Sequence, residues 1–248
     1  MISIICLIFR SKKYADFVYE GLKKYTPELE NGEAEFFFFV NNGTDEIKKH
    51  LKEKNYPHYI FETLSQKKYP LNRPEIYAAW NKSVEYAKGD IICFINSDMW
   101  FSKNWLKNLV KNLDKNRIIT SRLIESGKIW SATYITDPTN LNKFFQAYTI
   151  TKNFGRSPEE MNKEGFENFA ESTKEDKIMP KGTFMPLVVH KLNFIRSGGY
   201  DTQIQERTGR SGDFHFFYWI LEEMGIKHHT AMDSIVYHIQ EGEVDSND

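Results

Sequence analysis

Residues 2–9 form an almost unbroken apolar run, and residues 35–40 and 91–95 repeat the pattern. Short, uniformly apolar runs bounded by polar clusters are the signature of strands buried on both faces of a parallel sheet. A shorter run over 59–64 predicts one more strand between the second and the last of these. Between the runs the period changes. Tyr14, Phe17, Val18, Leu22 and Tyr25 recur at helical spacing, and Pro27 ends the segment. Thr44 or Asp45 caps a helix through Leu51. Ile76, Ala79, Trp80, Val84 and Ala87 share one face of a helix over 74–87 that Lys88-Gly89-Asp90 stops, and a further helix is predicted over about 103–113. The first 115 residues therefore read β-α-β-α-β-α-β-α, the alternation of a doubly wound α/β domain.

The second half is less regular. Strands are predicted over 118–123 and 129–135, joined by a turn at Glu125-Ser126-Gly127. Residues 137–180 are polar and dotted with aromatics, which suggests short helices and loops around a site. Strand character resumes over 182–190, and Ser197-Gly198-Gly199 forces a turn. A helix over 213–224 carries Phe214, Phe217, Tyr218 and Leu221 on one face, and the last strand is expected over 234–238. No internal repeat and no linker rich in Pro, Gly or Ser divides the chain, so residues 1–248 are expected to form a single domain.

Composition narrows the functional classes. With 40% hydrophobic and 15% aromatic residues, the 248-residue chain has ample apolar surface for a core. Its 33 basic and 34 acidic side chains leave a net charge of -1, which excludes nucleic-acid binding carried by bulk charge. The apolar runs fall far short of the roughly 20 residues of a membrane helix. Cys6 and Cys93 sit inside apolar runs without a CxxC partner, and are expected to be buried, reduced thiols. Met1 leads straight into the first strand with no basic leader, so a cytoplasmic location is expected. Oligomeric state is not legible in the sequence.

Candidate chemistry follows from where the polar clusters fall. Ligands of doubly wound sheets bind beyond the carboxyl ends of the strands, and residues 41–45 and 96–98 both lie at such ends. Asp98, two residues past a buried strand, suits a divalent cation bridging a diphosphate, and equally a helix N-cap. Asp213 heads the aromatic helix, where an N-cap is the ordinary reading. His238 ends the last strand, where a lone histidine is more often packing than ligand.

Taken in order, the segments resemble family-two glycosyltransferases of the GT-A fold, over nearly the whole chain. ISIICLIFRSKKYADFVYEGLKKY is similar to the family's first strand and helix, and EFFFFVNNGTDEIKKHL to its second strand and nucleotide-binding turn. AAWNKSVEYAKGDIICFINSDMWFSKNWLKNL resembles the stretch with the Asp-x-Asp motif, and GTFMPLVVHKLNFIRSGGYDT the acceptor-side strand and Gly-Gly-Phe-Asp turn. GDFHFFYWILEEMGIK sits where the family carries its Glu-Asp motif, and SIVYHI resembles its late Tyr-His strand.

The resemblance implies a Rossmann-like mixed sheet flanked by helices in one GT-A domain. Residues 1–115 would be the nucleotide-sugar-binding half, and 116–248 the acceptor-binding and catalytic half. It implies inverting transfer from a nucleoside-diphosphate sugar, expected to be a UDP-sugar, to a glycan or other hydroxyl acceptor. Mn2+ or Mg2+ would assist. The expected donor contacts are Phe9, Asn41, Asn42, Arg73, Asn96, Ser97 and Asp98, with Asp98 and His238 as metal ligands and Asp213 as catalytic base. Asn96 stands for the motif's first aspartate, Asn41 for an aspartate of the nucleotide-binding turn, and Gly212 for the glutamate of Glu-Asp; asparagine keeps a hydrogen-bond acceptor but loses the charge. One alternative is a GT-A protein whose motifs have eroded and which binds nucleotide or glycan without transfer. Another, a sugar-nucleotide pyrophosphorylase, wants a glycine-rich loop after the first strand, and residues 9–13 contain no glycine.

Overall fold

Alternate residues of the apolar runs part to opposite faces of one sheet. A computed structural model of the chain describes residues 1–63, 73–128, 148–208 and 212–240. Ile4, Cys6 and Ile8 of β1 (Ile2–Ile8) and Phe36, Phe38 and Val40 of β2 (Ala34–Asn41) enter one core, while Ile5, Phe37 and Phe39 enter another. The first core is closed by α1 (Lys12–Tyr25), α2 (Asp45–Glu53), α4 (Trp105–Val110) and α5 (Lys163–Thr173). The second is closed by α3 (Arg73–Ser83), α6 (Lys191–Arg196) and an aromatic helix near the end of the chain. A strand apolar at every position thus needs helices on both sides.

The remaining strands are β3 (His58–Phe61), β4 (Ile91–Asn96), β5 (Met99–Phe101), β6 (Arg117–Glu125), β7 (Ile150–Thr151), β8 (Ile178–Pro180), β9 (Leu187–His190) and β10 (Lys227–His238). Their order is β3-β2-β1-β4-β9-β6-β10-β5, with β7 beside β6 and β8 beside β10. β1, β2, β3 and β4 run parallel; β9 is antiparallel to β4 and to β6, and β6 and β10 are parallel. Two reversals restore the direction. Hence β1, β2, β4, β6 and β10 all deliver their carboxyl ends to one rim. This is the mixed sheet flanked by helices that the sequence implies. Cys6 and Cys93 lie on adjacent strands, in the same core, buried and unbridged as expected.

Several elements differ from expectation. Residues 99–101 lie just ahead of the helix predicted over 103–113, but Met99, Trp100 and Phe101 are fully buried and pair as β5 against β10; α4 starts only at Trp105, after Asn104 takes a left-handed φ of 60°. The last strand begins at Lys227, seven residues early, because its polar opening pairs with β8 and β6 and a bulge between Ala231 and Ile235 breaks its period. Of residues 182–190 only Leu187–His190 pairs. α3 ends at Ser83, whose hydroxyl donates to the Trp80 carbonyl. Residues 163–173 form α5, within the stretch expected to hold short helices and loops. α7 (Ile204–Thr208) forms between the turn at residues 197–199 and the aromatic helix, which runs as α8 (Gly212–His215), a π-helical turn (Phe216–Ile220) and α9 (Leu221–Glu223). The strand expected over 129–135 lies outside the described residues. Among those described, no helix is long and apolar enough to cross a membrane.

Candidate active site

The rim gathers residues far apart in sequence. β4 ends at Asn96, and the chain turns at Ser97-Asp98 to fold back as β5 along the end of β10. In that ladder Met99 faces His238, and the Ile239 N–H donates to the Asp98 carbonyl at 3.0 Å. Backbone pairing therefore sets the two side chains side by side, with Asp98 Oδ2 3.4 Å from His238 Nε2. Parallel pairing of β6 with β10 places Glu125 beside His238 as well, its Oε1 3.5 Å from Nδ1. Asp98 and Glu125 are buried, at 6% and 5% exposure. Sequence reasoning missed Glu125, reading it only as part of a turn.

One imidazole thus stands between two carboxylates. Burial alone would lower its pKa, but Asp98 and Glu125 outweigh that and push His238 up to about 10. Ligand atoms bound at roughly 2.0–2.2 Å to one octahedral ion sit about 3 Å apart, so the spacing of Asp98 Oδ2 and His238 Nε2 fits two adjacent ligands of a divalent cation. Glu125 addresses the other ring nitrogen, the position from which a carboxylate orients a liganding histidine. Among the described residues no group of three or more His, Cys, Asp or Glu could hold an ion. The pair is half a shell.

At the other end of the rim the two asparagines of β2 behave differently. Asn42, at φ 48°, has both ends of its amide engaged by Thr63: Nδ2 donates to the hydroxyl at 2.9 Å, and Oδ1 accepts the Thr63 N–H at 2.7 Å. It fastens the end of β2 to the segment after β3. Asn41 is buried, with Nδ2 3.5 Å from the Glu75 carbonyl at the start of α3. The Phe9 carbonyl accepts the Thr44 N–H, and a Cβ on Gly43 would lie 2.3 Å from Val40 and 3.0 Å from that carbonyl. Only glycine lets the turn after β2 press so closely on the end of β1. Asn96 is half-buried, and its amide has no hydrogen-bond partner among the described residues. Ser97 is buried between Asn96 and Asp98. Arg73 opens α3, but its side chain lies outside the described residues.

Asp213 stands inside the first turn of α8 rather than ahead of it. Its Oδ1 accepts the Tyr77 hydroxyl of α3 at 3.1 Å and the Phe214 N–H at 2.8 Å. Tyr77 was not singled out from the sequence, where it is one more aromatic on an amphipathic helix. A cavity of about 510 Å³ lies away from this rim, between α3 and α6, lined by Asn81, Val84, Lys191 and Phe194 among others.

Comparison with known proteins agrees with this fold. The sequence model of glycosyl transferase family 2 matches residues 3–164. No curated protein matches the sequence. Among solved structures, the mannosyltransferase PcManGT from Pyrobaculum calidifontis, in complex with GDP-Man and Mn2+, superposes with a TM-score of 0.59 at 13% identity, over 97% of this chain and 58% of that one. GalNAc-T7 with UDP, GalNAc and Mn2+ gives 0.62 at 12% identity, over 96% and 43%. S. aureus TarS 1–349 in complex with UDP gives 0.54 at 11% identity, over 95% and 59%. At such identities the likeness is one of fold, and this chain spans only about half the length of these structures.

Proposed function

The chain belongs to glycosyl transferase family 2, and from that premise we propose that it is an inverting glycosyltransferase acting on a nucleoside-diphosphate sugar, a UDP-sugar in the first instance, with a glycan or other hydroxyl compound as acceptor. The observation that carries this reading is the pairing of Asp98 with His238 at the rim where the parallel strands end. Nucleotide and Mn2+ in the neighbouring structures support it. Asp98 and His238 would hold Mn2+ or Mg2+, and the ion, when bound, supplies Lewis-acid neutralisation of the charge that builds on the departing diphosphate. Asn96 would offer its unclaimed amide to the ribose, beside Ser97. Phe9, Asn41 and Arg73 would line the donor from the ends of β1 and β2 and the start of α3. Asn42 contributes by fastening that wall, since its amide is taken up by Thr63.

Asp213 is the proposed base. In a single displacement the acceptor oxygen bonds to the anomeric carbon as the bond to the diphosphate breaks. The acceptor's proton passes to the carboxylate, and the nucleoside diphosphate leaves with the electron pair. We take residues 1–115 as the donor half and 116–248 as the acceptor half of a single domain. The cytoplasm is the proposed compartment, in line with two cysteines that remain thiols.

The test is thermal shift with UDP and GDP, with and without Mn2+, followed by nucleoside-diphosphate release from UDP-GalNAc, UDP-glucose and GDP-mannose. Stabilisation that needs both nucleotide and ion, with turnover, is expected. Nucleotide binding without turnover on any donor would favour the eroded, binding-only alternative. Asp213→Asn should lower turnover by about 10²–10⁴ while leaving donor binding intact, as read by kcat against the nucleotide Kd. Turnover near the parent rate would move the base elsewhere.

A further inference from the structure

We propose that Tyr77 is the positioning residue of Asp213, and that Gly212 is glycine because Tyr77 occupies the space beside it. The proposal rests on the reading of Asp213 as base. Three observations carry it. First, the Tyr77 hydroxyl donates to Asp213 Oδ1, which also accepts the Phe214 N–H. One carboxylate oxygen is thus held by two donors from different elements, while Oδ2 has no hydrogen-bond partner among the described residues. That division of labour suits a base: one oxygen fixes the group and the other faces the proton to be taken. Second, Tyr77 is itself rigidly placed. It is 7% exposed, and its ring stacks on Tyr200 with centroids 5.4 Å apart at 29°. Tyr200 is buried within the electrostatic reach of Asp213; burial first, then that carboxylate, push its phenol well above the usual range.

Third, a Cβ on residue 212 would lie 2.7 and 2.8 Å from two carbons of the Tyr77 ring, closer than any side chain tolerates. A side chain at position 212 cannot coexist with Tyr77 where it stands. The same phenol that excludes a side chain at position 212 holds the carboxylate at 213. Proton bookkeeping is unchanged by the assignment. The acceptor's proton goes to Oδ2 as its oxygen bonds to the anomeric carbon, and Tyr77 keeps its own proton throughout.

Tyr77→Phe tests this, because it retains the ring, the stack on Tyr200 and the contact with Gly212, and removes only the hydroxyl. Two measurements are made on the full chain. Crystal structures of parent and Y77F should show the Asp213 carboxylate leaving its present rotamer. Nucleoside-diphosphate release from UDP-GalNAc, UDP-glucose and GDP-mannose with Mn2+ should show kcat falling by about 10- to 100-fold with the donor KM within twofold, the mark of a misplaced reacting group. Y77F added to Asp213→Asn should cost nothing further, since both act at one point. An Asp213 carboxylate unmoved in Y77F, or losses in the double variant that multiply, would overturn the proposal. If instead Asp213→Asn turns over at the parent rate, the reading of Asp213 as base fails, and the crystal structure of Y77F still decides whether Tyr77 holds the carboxylate.

Discussion

Two histidines, one half-buried and one buried, are shifted in opposite directions. His238, between Asp98 and Glu125, is raised to about 10. A raised histidine stabilises the fold in full below its unfolded value near 6.5, and that contribution is lost as pH climbs towards 10. His228 is lowered to about 3, first by burial and then by neighbouring His229. Its contribution is present in full above about 6.5 and is lost as pH falls towards 3. Urea midpoints of the ion-free protein should therefore peak near neutrality and fall on both sides. His238→Gln should flatten the alkaline fall and leave the acid one; an alkaline slope that persists in this variant would show that the two carboxylates do not act through His238. The residue scale also shows the reach of sequence reasoning. Asp98 and His238 were legible because each closes an apolar run, and strand ends are where ligands bind. Glu125 was hidden by a turn-like neighbourhood. Tyr77 was illegible for a deeper reason: its partner lies 136 positions away, and nothing local distinguishes its hydroxyl from any other on a helix.

At the scale of elements, α3 ties the β2 end of the rim to Asp213 and Tyr200. Its first turn meets Asn41 at the end of β2, Tyr77 meets Asp213, and Asn81 clasps the peptide of Tyr200. Asn81 Oδ1 accepts the Tyr200 N–H at 2.8 Å, and Nδ2 donates to the Tyr200 carbonyl at 2.8 Å. Asn81→Ala leaves both backbone groups without partners beside a side chain only 2% exposed. It should cost about 1–3 kcal/mol in urea unfolding, more than most surface substitutions. A loss below about 0.5 kcal/mol would mean that water replaces the clasp. Helical periodicity announced α3 but not its errands, because amphipathic spacing reports which face is buried and is silent on which polar atoms meet. The missed β5 has the same origin: three apolar residues are too few to carry a period, and only their pairing partner makes them a strand.

Over the whole molecule, the parts of the chain before and after residue 115 are built into one sheet. β9, from the second half, pairs with β4 of the first on one side and β6 of the second on the other. The candidate ion pair takes Asp98 from one half and His238 from the other. Thermal or chemical unfolding should accordingly show a single transition, with fluorescence and far-UV circular dichroism coincident. Two separable transitions would mean that the halves are independent domains. The alternation of the first four strands was readable because β1, β2 and β4 are almost unbroken apolar runs separated by helical periods. The threading of later strands into the same sheet was not, since strand order is written in no single segment.

The ladder that sets Met99 opposite His238 makes chain length itself a constraint. Side chains alternate between the two faces of a strand, so one residue inserted or deleted between Asp98 and β5 would slide Asp98 out of line with His238 or turn it to the opposite face. The bulge in β10 is the counterpart. Between Ala231 and Ile235 three residues leave the backbone ladder with β6, but Met232 is held by the Lys177 carbonyl, Asp233 by Asn108 and Lys111, and Ser234 by Trp105 and by Ser121 of β6, so length is fixed there too. Lineages descended from this chain should admit almost no insertions or deletions at 98–101 or across 231–238.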